Sequence, residues 1–199
     1  MIGIIDYGAG NLRSVKKAVD YLGIESRIIR SASEFEGIDK LILPGVGAFG
    51  AAIETMKAQG LYQPTAEWLQ ANKPFLGICL GLQMLFEESE EAQGLRGFGI
   101  FKGKIPQFQQ RKVPQIGWNQ IQRVKDSPLL EGILDQSFFY FLHGYYVQPE
   151  EQEIVLTETE YGITYTSAIV KGNIYAVQFH PEKSSHVGIQ LLQNWVTLC

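Results

Sequence analysis

Cysteine is scarce in this sequence: two residues among 199, at positions 79 and 199. Two thiols are too few for the disulfide framework of a small secreted domain, so a reducing cytosol is the expected home. The chain is long enough to bury a sizeable core without such staples. An excess of basic charge is missing as well: 17 Lys and Arg stand against 21 Asp and Glu, a net charge of −4, with 19% of residues charged. That balance argues against the basic stripe of a nucleic-acid binder. No uncharged stretch approaches the ~20 apolar residues that a membrane helix needs. The opening Met1 to Asp6 has no basic segment and Asp6 interrupts its apolar run, so no signal peptide is expected and the protein is expected to be soluble and cytoplasmic. Internal repeats, low-complexity tracts and an obvious linker are also lacking, which predicts one domain over residues 1–199. What the chain does have is 21 glycines, 12% aromatic residues and a mean hydropathy of −0.04. That is the composition of a compact, enzyme-like domain.

The first half alternates between two periods. Ile2–Ile5, Glu25–Ile29, Lys40–Leu43 and Pro74–Ile78 are short runs suited to buried strands. Between them, Leu12, Val15, Val19 and Leu22 recur at helical spacing, as do Phe49, Ala52, Ile53 and Met56, and a third helix is predicted from Tyr62 to Ala71. Leu82, Met84, Leu85 and Phe86 are expected to begin a helix after the fourth strand. Strands alternating with helices predict a mostly parallel sheet covered on both faces. From about Phe98 the texture becomes β-rich: Val113–Val124, Phe138–Phe141, Ile154–Thr157, Thr164–Val170 and Ile174–Gln178, the last two joined by a hairpin at Lys171-Gly172-Asn173. A terminal helix follows, with Leu191, Leu192, Trp195, Val196 and Cys199 on one face. The fold class is therefore α/β, three layers deep, with an antiparallel-rich C-terminal half.

Chemistry concentrates at Gly77-Ile78-Cys79-Leu80-Gly81, a Gly-x-Cys-x-Gly turn between a strand and a helix. A nucleophile on so sharp a turn needs small flanking residues. A thiol at a helix N-terminus has its thiolate stabilised by unpaired N–H groups, and the Leu80 N–H is placed to stabilise an oxyanion. An isolated cysteine is more often a buried, inert one; the two glycines at elbow spacing argue for function. A thiol nucleophile needs a base, and His143, His180 and His186 are available. His186 stands beside Ser184 and Ser185 at the start of the terminal helix, as a solvated residue would. His143 follows an aromatic strand and is placed to line a pocket. His180 ends the strand Tyr175–Phe179, where side chains of an open α/β sheet face the ligand crevice. Glu182, two residues on, can orient its imidazole.

The segments Gly-Ile-Cys-Leu-Gly-Leu-Gln and Phe-His-Pro-Glu resemble the class I glutamine amidotransferases, whose triad is Cys-His-Glu. Asp6-Tyr7-Gly8-Ala9-Gly10-Asn11-Leu12, Leu43-Pro44-Gly45-Val46-Gly47-Ala48-Phe49, Gly117-Trp118-Asn119 and His180-Pro181-Glu182-Lys183-Ser184 are closest to the glutaminase subunits of imidazole glycerol phosphate synthases. The resemblance spans essentially the whole chain. It implies hydrolysis of L-glutamine at Cys79, His180 and Glu182, with no metal and no cofactor. The ammonia released passes to a separate cyclase subunit, a (β/α)₈ barrel, in a heterodimer. The cyclase makes imidazole glycerol phosphate and an aminoimidazole carboxamide ribotide. The resemblance further implies an oxyanion hole from Val46, Gly47 and Leu80, completed by a flip of the glycine-flanked backbone. Gly45, Gln83, His143, Gly144 and Tyr145 would meet the substrate, and Asn11, Trp118, Tyr140 and Lys183 the cyclase. Two positions depart from the family pattern: Gly144 where relatives more often have Ser, and Gln115 where many have His.

Other readings compete on the same residues. Class I amidotransferases serving anthranilate, aminobenzoate or guanylate synthesis share the elbow and the His-Pro-Glu. A stand-alone cysteine hydrolase or peptidase on a similar sheet would cleave peptides instead of releasing ammonia from free glutamine. A flavodoxin-like binding module would cradle a phosphate at Gly8–Asn11, but the glycine spacing fits neither a P-loop nor GxGxxG. For Asn11 a cap on the first helix is a local alternative, and for Trp118 a place in the core.

Overall fold

In the computed structural model, residues 1–8, 11–109 and 111–199 are described. Ala9 and Gly10 of the glycine turn therefore lie outside the described residues. The first half runs β1 (Ile2–Ile5), α1 (Leu12–Tyr21), β2 (Ser26–Ile29), β3 (Lys40–Leu43), α2 (Phe49–Ala58), α3 (Tyr62–Gln70) and β4 (Phe75–Ile78). The second runs α4 (Leu80–Gln83), β5 (Gly103–Lys104), β6 (Gln115–Gln120), β7 (Gln122–Arg123), β8 (Phe138–His143), β9 (Gln148–Pro149), β10 (Val155–Glu160), β11 (Thr164–Lys171), β12 (Ile174–Val177) and α5 (Ser185–Leu198).

Eight strands form one sheet in the order β2-β1-β3-β4-β12-β11-β10-β7. Pairing is parallel from β2 through β12 and antiparallel beyond it. The strands bury both faces, so their apolar residues divide by period two. Ile4, Ile42, Leu76 and Ile78 join Val15 and Val19 of α1 and Leu191, Leu192 and Trp195 of α5 on one side. Ile5, Leu41, Leu43 and Phe75 join Phe49, Ile53 and Met56 of α2 and Trp68 and Leu69 of α3 on the other. Each fully buried Leu, Ile or Phe contributes about 1.5–3 kcal/mol by leaving water. Lys171↔Ile174 closes the hairpin expected at Lys171–Asn173. A separate ribbon, β6 paired with β8, stands outside the main sheet with Trp118 opposite Tyr140.

Two expectations need correction. The helix after the elbow is a single turn, Leu80–Gln83, and does not run on through Phe86. The Met84 carbonyl accepts the Phe98 N–H at 2.7 Å and the Leu85 carbonyl the Ile100 N–H at 2.8 Å, so a returning loop takes acceptors that a longer helix would need. The run Val113–Val124 is not one strand: β6 ends at Gln120 and β7 starts at Gln122, in different sheets. No described helix is long and apolar enough to cross a membrane.

Candidate active site

β3, β4 and β12 are adjacent and parallel, so the segments leaving their C-terminal ends emerge side by side. β3 leads into Pro44–Gly47, β4 into Cys79, and β12 into Gln178, Phe179 and His180. This is where an open α/β sheet places a ligand crevice.

Cys79 occupies the elbow with φ 54° and ψ −104°, outside the conformations that side chains favour. Its N–H bonds to Val177 O at 2.7 Å, and its carbonyl accepts Leu82 N–H at 3.0 Å. The turn holds because its flanks lack Cβ atoms. A Cβ on Gly81 would sit 2.1 Å from Leu43 O, and one on Gly77 2.7 Å from Gly81 O. Cys79 is 4% exposed, its thiol lies 3.6 Å from Leu142 O, and the Gln178 side-chain amide donates to Sγ at 3.6 Å.

His180 and Glu182 both have fully buried side chains, with Nδ1 2.8 Å from Oε1. Nδ1 therefore carries the proton that Glu182 accepts, and the buried Nε2, which makes no hydrogen bond, is the nitrogen left for proton transfer. Burial opposes protonation of His180, but the charge of an ionised Cys79 and the bond and charge of Glu182 prevail and push the imidazole up to about 10. Asn11 Nδ2 also donates to Glu182 Oε1. Asn11 has φ 78° and makes no side-chain cap bond, so its amide supports the triad instead of capping α1. His143 behaves oppositely. Burial drives its pKa down to about 3, aided by the His180 charge and opposed by the bond to Tyr145. Both its ring nitrogens are engaged, Nδ1 with Tyr145 O at 2.8 Å and Nε2 with the Tyr165 hydroxyl at 3.2 Å. Gln115 also meets that hydroxyl, at 2.9 Å.

The residues expected to bind an oxyanion lie where the β3 and β4 ends meet, and the Leu80 donor is already taken. Leu80 N–H donates to Gly45 O at 3.4 Å, so the Gly45–Val46 peptide turns its carbonyl, and not the Val46 N–H, toward Leu80. Gly47 follows with φ 118°, a conformation that glycine tolerates and other residues do not. The buried Tyr7 hydroxyl lies against Gly45, where an added Cβ would sit 2.2 Å from it. Gln83 is buried and donates to Tyr145 O at 3.0 Å. Gly144 and Tyr145 are half-buried on the same loop.

Of the predicted partner residues, Asn11 lies on the triad, and the other three cluster together. Trp118 and Lys183 are exposed and Tyr140 half-buried, so Trp118 has no place in the core. Trp118 and Tyr140 meet edge to face at 6.2 Å, and Lys183 Nζ lies 5.8 Å from the Tyr140 ring centroid. The Tyr140 carbonyl accepts the His180 N–H at 2.8 Å, tying this patch to the triad backbone. His186 is exposed, as expected. The motif reading missed Gln178 and Glu91. Period two along the strand puts Gln178 on the side of His180, a signal that was available. Glu91 bonds to Phe49 N at 2.8 Å and, after burial, its charge helps raise the Tyr145 pKa, a contact no local pattern reveals.

A family model described as glutamine amidotransferase class-I matches residues 3–198. The chain belongs to the class I glutamine amidotransferases. Among curated relatives, this amidotransferase is 49% identical over 199 residues to the imidazole glycerol phosphate synthase subunit HisH of Methanocaldococcus jannaschii, covering 100% of both chains. It is 50% identical over 198 residues to the protein of that name from Chlorobaculum tepidum, covering 98% of each. Among solved structures, the amidotransferase superposes on one described as a glutamine amidotransferase with a TM-score of 0.78 at 19% identity, covering 98% of this chain and 96% of that one. The PurLQS structure from Thermotoga maritima matches with a TM-score of 0.78 at 16% identity and the same coverage. At such identities the structural likeness speaks for the fold.

Proposed function

We propose that this chain is the glutaminase subunit of an imidazole glycerol phosphate synthase. It hydrolyses L-glutamine to glutamate and ammonia and delivers the ammonia to a cyclase subunit. The observation that carries the reading is the meeting of Cys79, His180 and Glu182 at neighbouring strand ends. Full-length identity near 50% to subunits bearing that name supports it.

In this mechanism the Cys79 thiolate attacks the side-chain amide carbon of glutamine, and the carbonyl electrons move onto oxygen. The His180 imidazolium gives its Nε2 proton to the departing nitrogen, the C–N bond breaks, and a thioester and ammonia form. Water, deprotonated by the now neutral His180, attacks the thioester carbon. Glutamate leaves and the thiolate and imidazolium are restored. Glu182, held by Asn11, keeps His180 in the tautomer this requires. The oxyanion is bound by the N–H groups of Leu80 and Val46 after the Gly45–Val46 peptide turns over, with Gly47 allowing the turn. Gln83, Gly45 and the loop His143–Tyr145 position the substrate. His143, neutral at physiological pH and bonded on both nitrogens, acts through the loop it holds.

The cyclase, a (β/α)₈ barrel, docks on the exposed aromatic patch. Ile116, Trp118 and Phe138 are 60%, 53% and 52% exposed, an apolar group that a lone soluble chain gains nothing by displaying. Lys183 supplies a charge at its edge. The test is to co-express the chain with the cyclase, isolate the complex, and measure glutamate formation with and without the cyclase's nucleotide substrate. Activity on peptides, with none on free glutamine, would refute the proposal.

A further inference from the structure

Three hydrogen bonds settle which way two buried side-chain amides face. Gln83 Nε2 lies 3.0 Å from Tyr145 O, and a backbone carbonyl can only accept, so the nitrogen end of the Gln83 amide is the end that faces it. The second hydrogen of that nitrogen is directed to Gln178 Oε1 at 3.3 Å. With its oxygen held by Gln83, Gln178 must turn its NH₂ group the other way, where it lies 3.6 Å from Cys79 Sγ. Gln178 is 0% exposed, and its backbone N–H is fixed on Ser167 O at 2.8 Å. The donor at the sulfur is thus imposed by the chain Tyr145, Gln83, Gln178.

We propose that Gln178 is a further catalytic residue, whose side-chain N–H donates to Cys79 Sγ and favours the thiolate over the thiol, with Gln83 as the residue that positions it. A thiol sulfur is a weak acceptor and a thiolate a strong one, so the same contact is worth more once the proton has left. The donor also restrains the sulfur from rotating away from the approaching amide carbon. The inference rests on the reading of Cys79 as the nucleophile.

The test compares wild type with Gln178→Met, close in shape without a donor, and Gln178→Glu, which sets a carboxyl beside the sulfur. All are made in a Cys199→Ser background and assayed in the cyclase complex. The pH profile of Cys79 alkylation by iodoacetamide reports the thiolate directly. The titratable groups around the sulfur, His180, Tyr7 and Tyr165, are common to every variant, so differences report residue 178. Gln178→Met is expected to move the alkylation midpoint up by about one pH unit, and Gln178→Glu further. Glutaminase kcat is expected to fall at least about tenfold with KM within about threefold. In wild type, the Gln178 side-chain NH₂ resonance should shift as Cys79 ionises and stop titrating in Cys79→Ala. That measurement needs no variant at 178 to fold. A folded Gln178→Met with an unchanged midpoint and kcat, or an NH₂ resonance indifferent to Cys79, would overturn the inference alone. Glutamine hydrolysis surviving Cys79→Ala would overturn the underlying reading as well.

Discussion

Cys79 has a backbone angle that costs on the order of 1–3 kcal/mol for a residue with a side chain, and the surrounding turn compensates. Cys79→Ala is expected to retain the fold and abolish glutamine hydrolysis, while synthesis from added ammonium salt with the cyclase continues. Glutamate assays and circular dichroism together check this. His180→Ala is expected to lose ~10²–10⁴-fold in kcat, and Glu182→Gln less, because the imidazole moves protons and the carboxylate only orients it. The two buried histidines also give stability two pH limbs. His180, raised to about 10, contributes stability that is complete below its unfolded value near 6.5 and is lost as pH climbs toward 10. His143, lowered to about 3, remains neutral while the unfolded chain takes up a proton, so stability falls as pH drops from 6.5 toward 3. Urea midpoints from pH 4.5 to 9.5 should show a shallower acid limb in His143→Gln and a shallower alkaline limb in Cys79→Ala. Unchanged limbs would contradict these assignments.

Among the elements, α4 is short because its carbonyls serve a returning loop, yet it presents the Leu80 N–H and Gln83 to the site. Its fit against β3 depends on Gly81. In Gly81→Ala the new Cβ would collide with the Leu43 carbonyl at 2.1 Å, and backbone on either side has no flexible end to yield. Overpacking of this kind costs about 1–3 kcal/mol, so Gly81→Ala is expected to lower Tm by several degrees and displace Cys79 from His180. Differential scanning calorimetry and an activity assay decide it. Gly47→Ala meets no atom within 4 Å, and its penalty is the backbone angle alone. It should therefore impair oxyanion formation, seen in kcat, more than it lowers Tm.

For the molecule as a whole, ammonia made without an acceptor is wasted, and the closed Gly45 carbonyl over Leu80 N–H suits a subunit that waits for its partner. On the proposed function, a ligand in the cyclase would stimulate by favouring the flipped peptide differentially. Isolated, the chain is expected to hydrolyse glutamine slowly, with activity rising strongly when cyclase and its nucleotide substrate are both present. Lys183→Ala, on the exposed patch, should weaken that stimulation and spare the basal rate. Asn11→Ala should lower both, because its amide also holds Glu182. Steady-state glutamate production by the chain alone, with cyclase, and with cyclase plus ligand separates these effects. Full activity from the chain alone, indifferent to both additions, would contradict the coupling.

Local patterns alone determined the strands Ile2–Ile5 and Lys40–Leu43, the apolar face of α2, the helix α3 to within a residue, the hairpin at Gly172, and the elbow turn at Cys79. These are legible because period, turn chemistry and flanking glycines act over a few residues. The end of α4 at Gln83 was not legible, since the competing donors come from Phe98 and Ile100, across a loop. Nor was the internal engagement of His143, which depends on Tyr165 from another strand. The bond of Asn11 to Glu182, 171 positions away, has no local signal either. The facing of Gln178 toward Cys79 follows only once Tyr145, Gln83 and the sulfur converge. Hydrogen-bond direction in a buried site is decided by whichever atoms the sheet order brings together, and strand order is a property of the folded chain, not of any window of it.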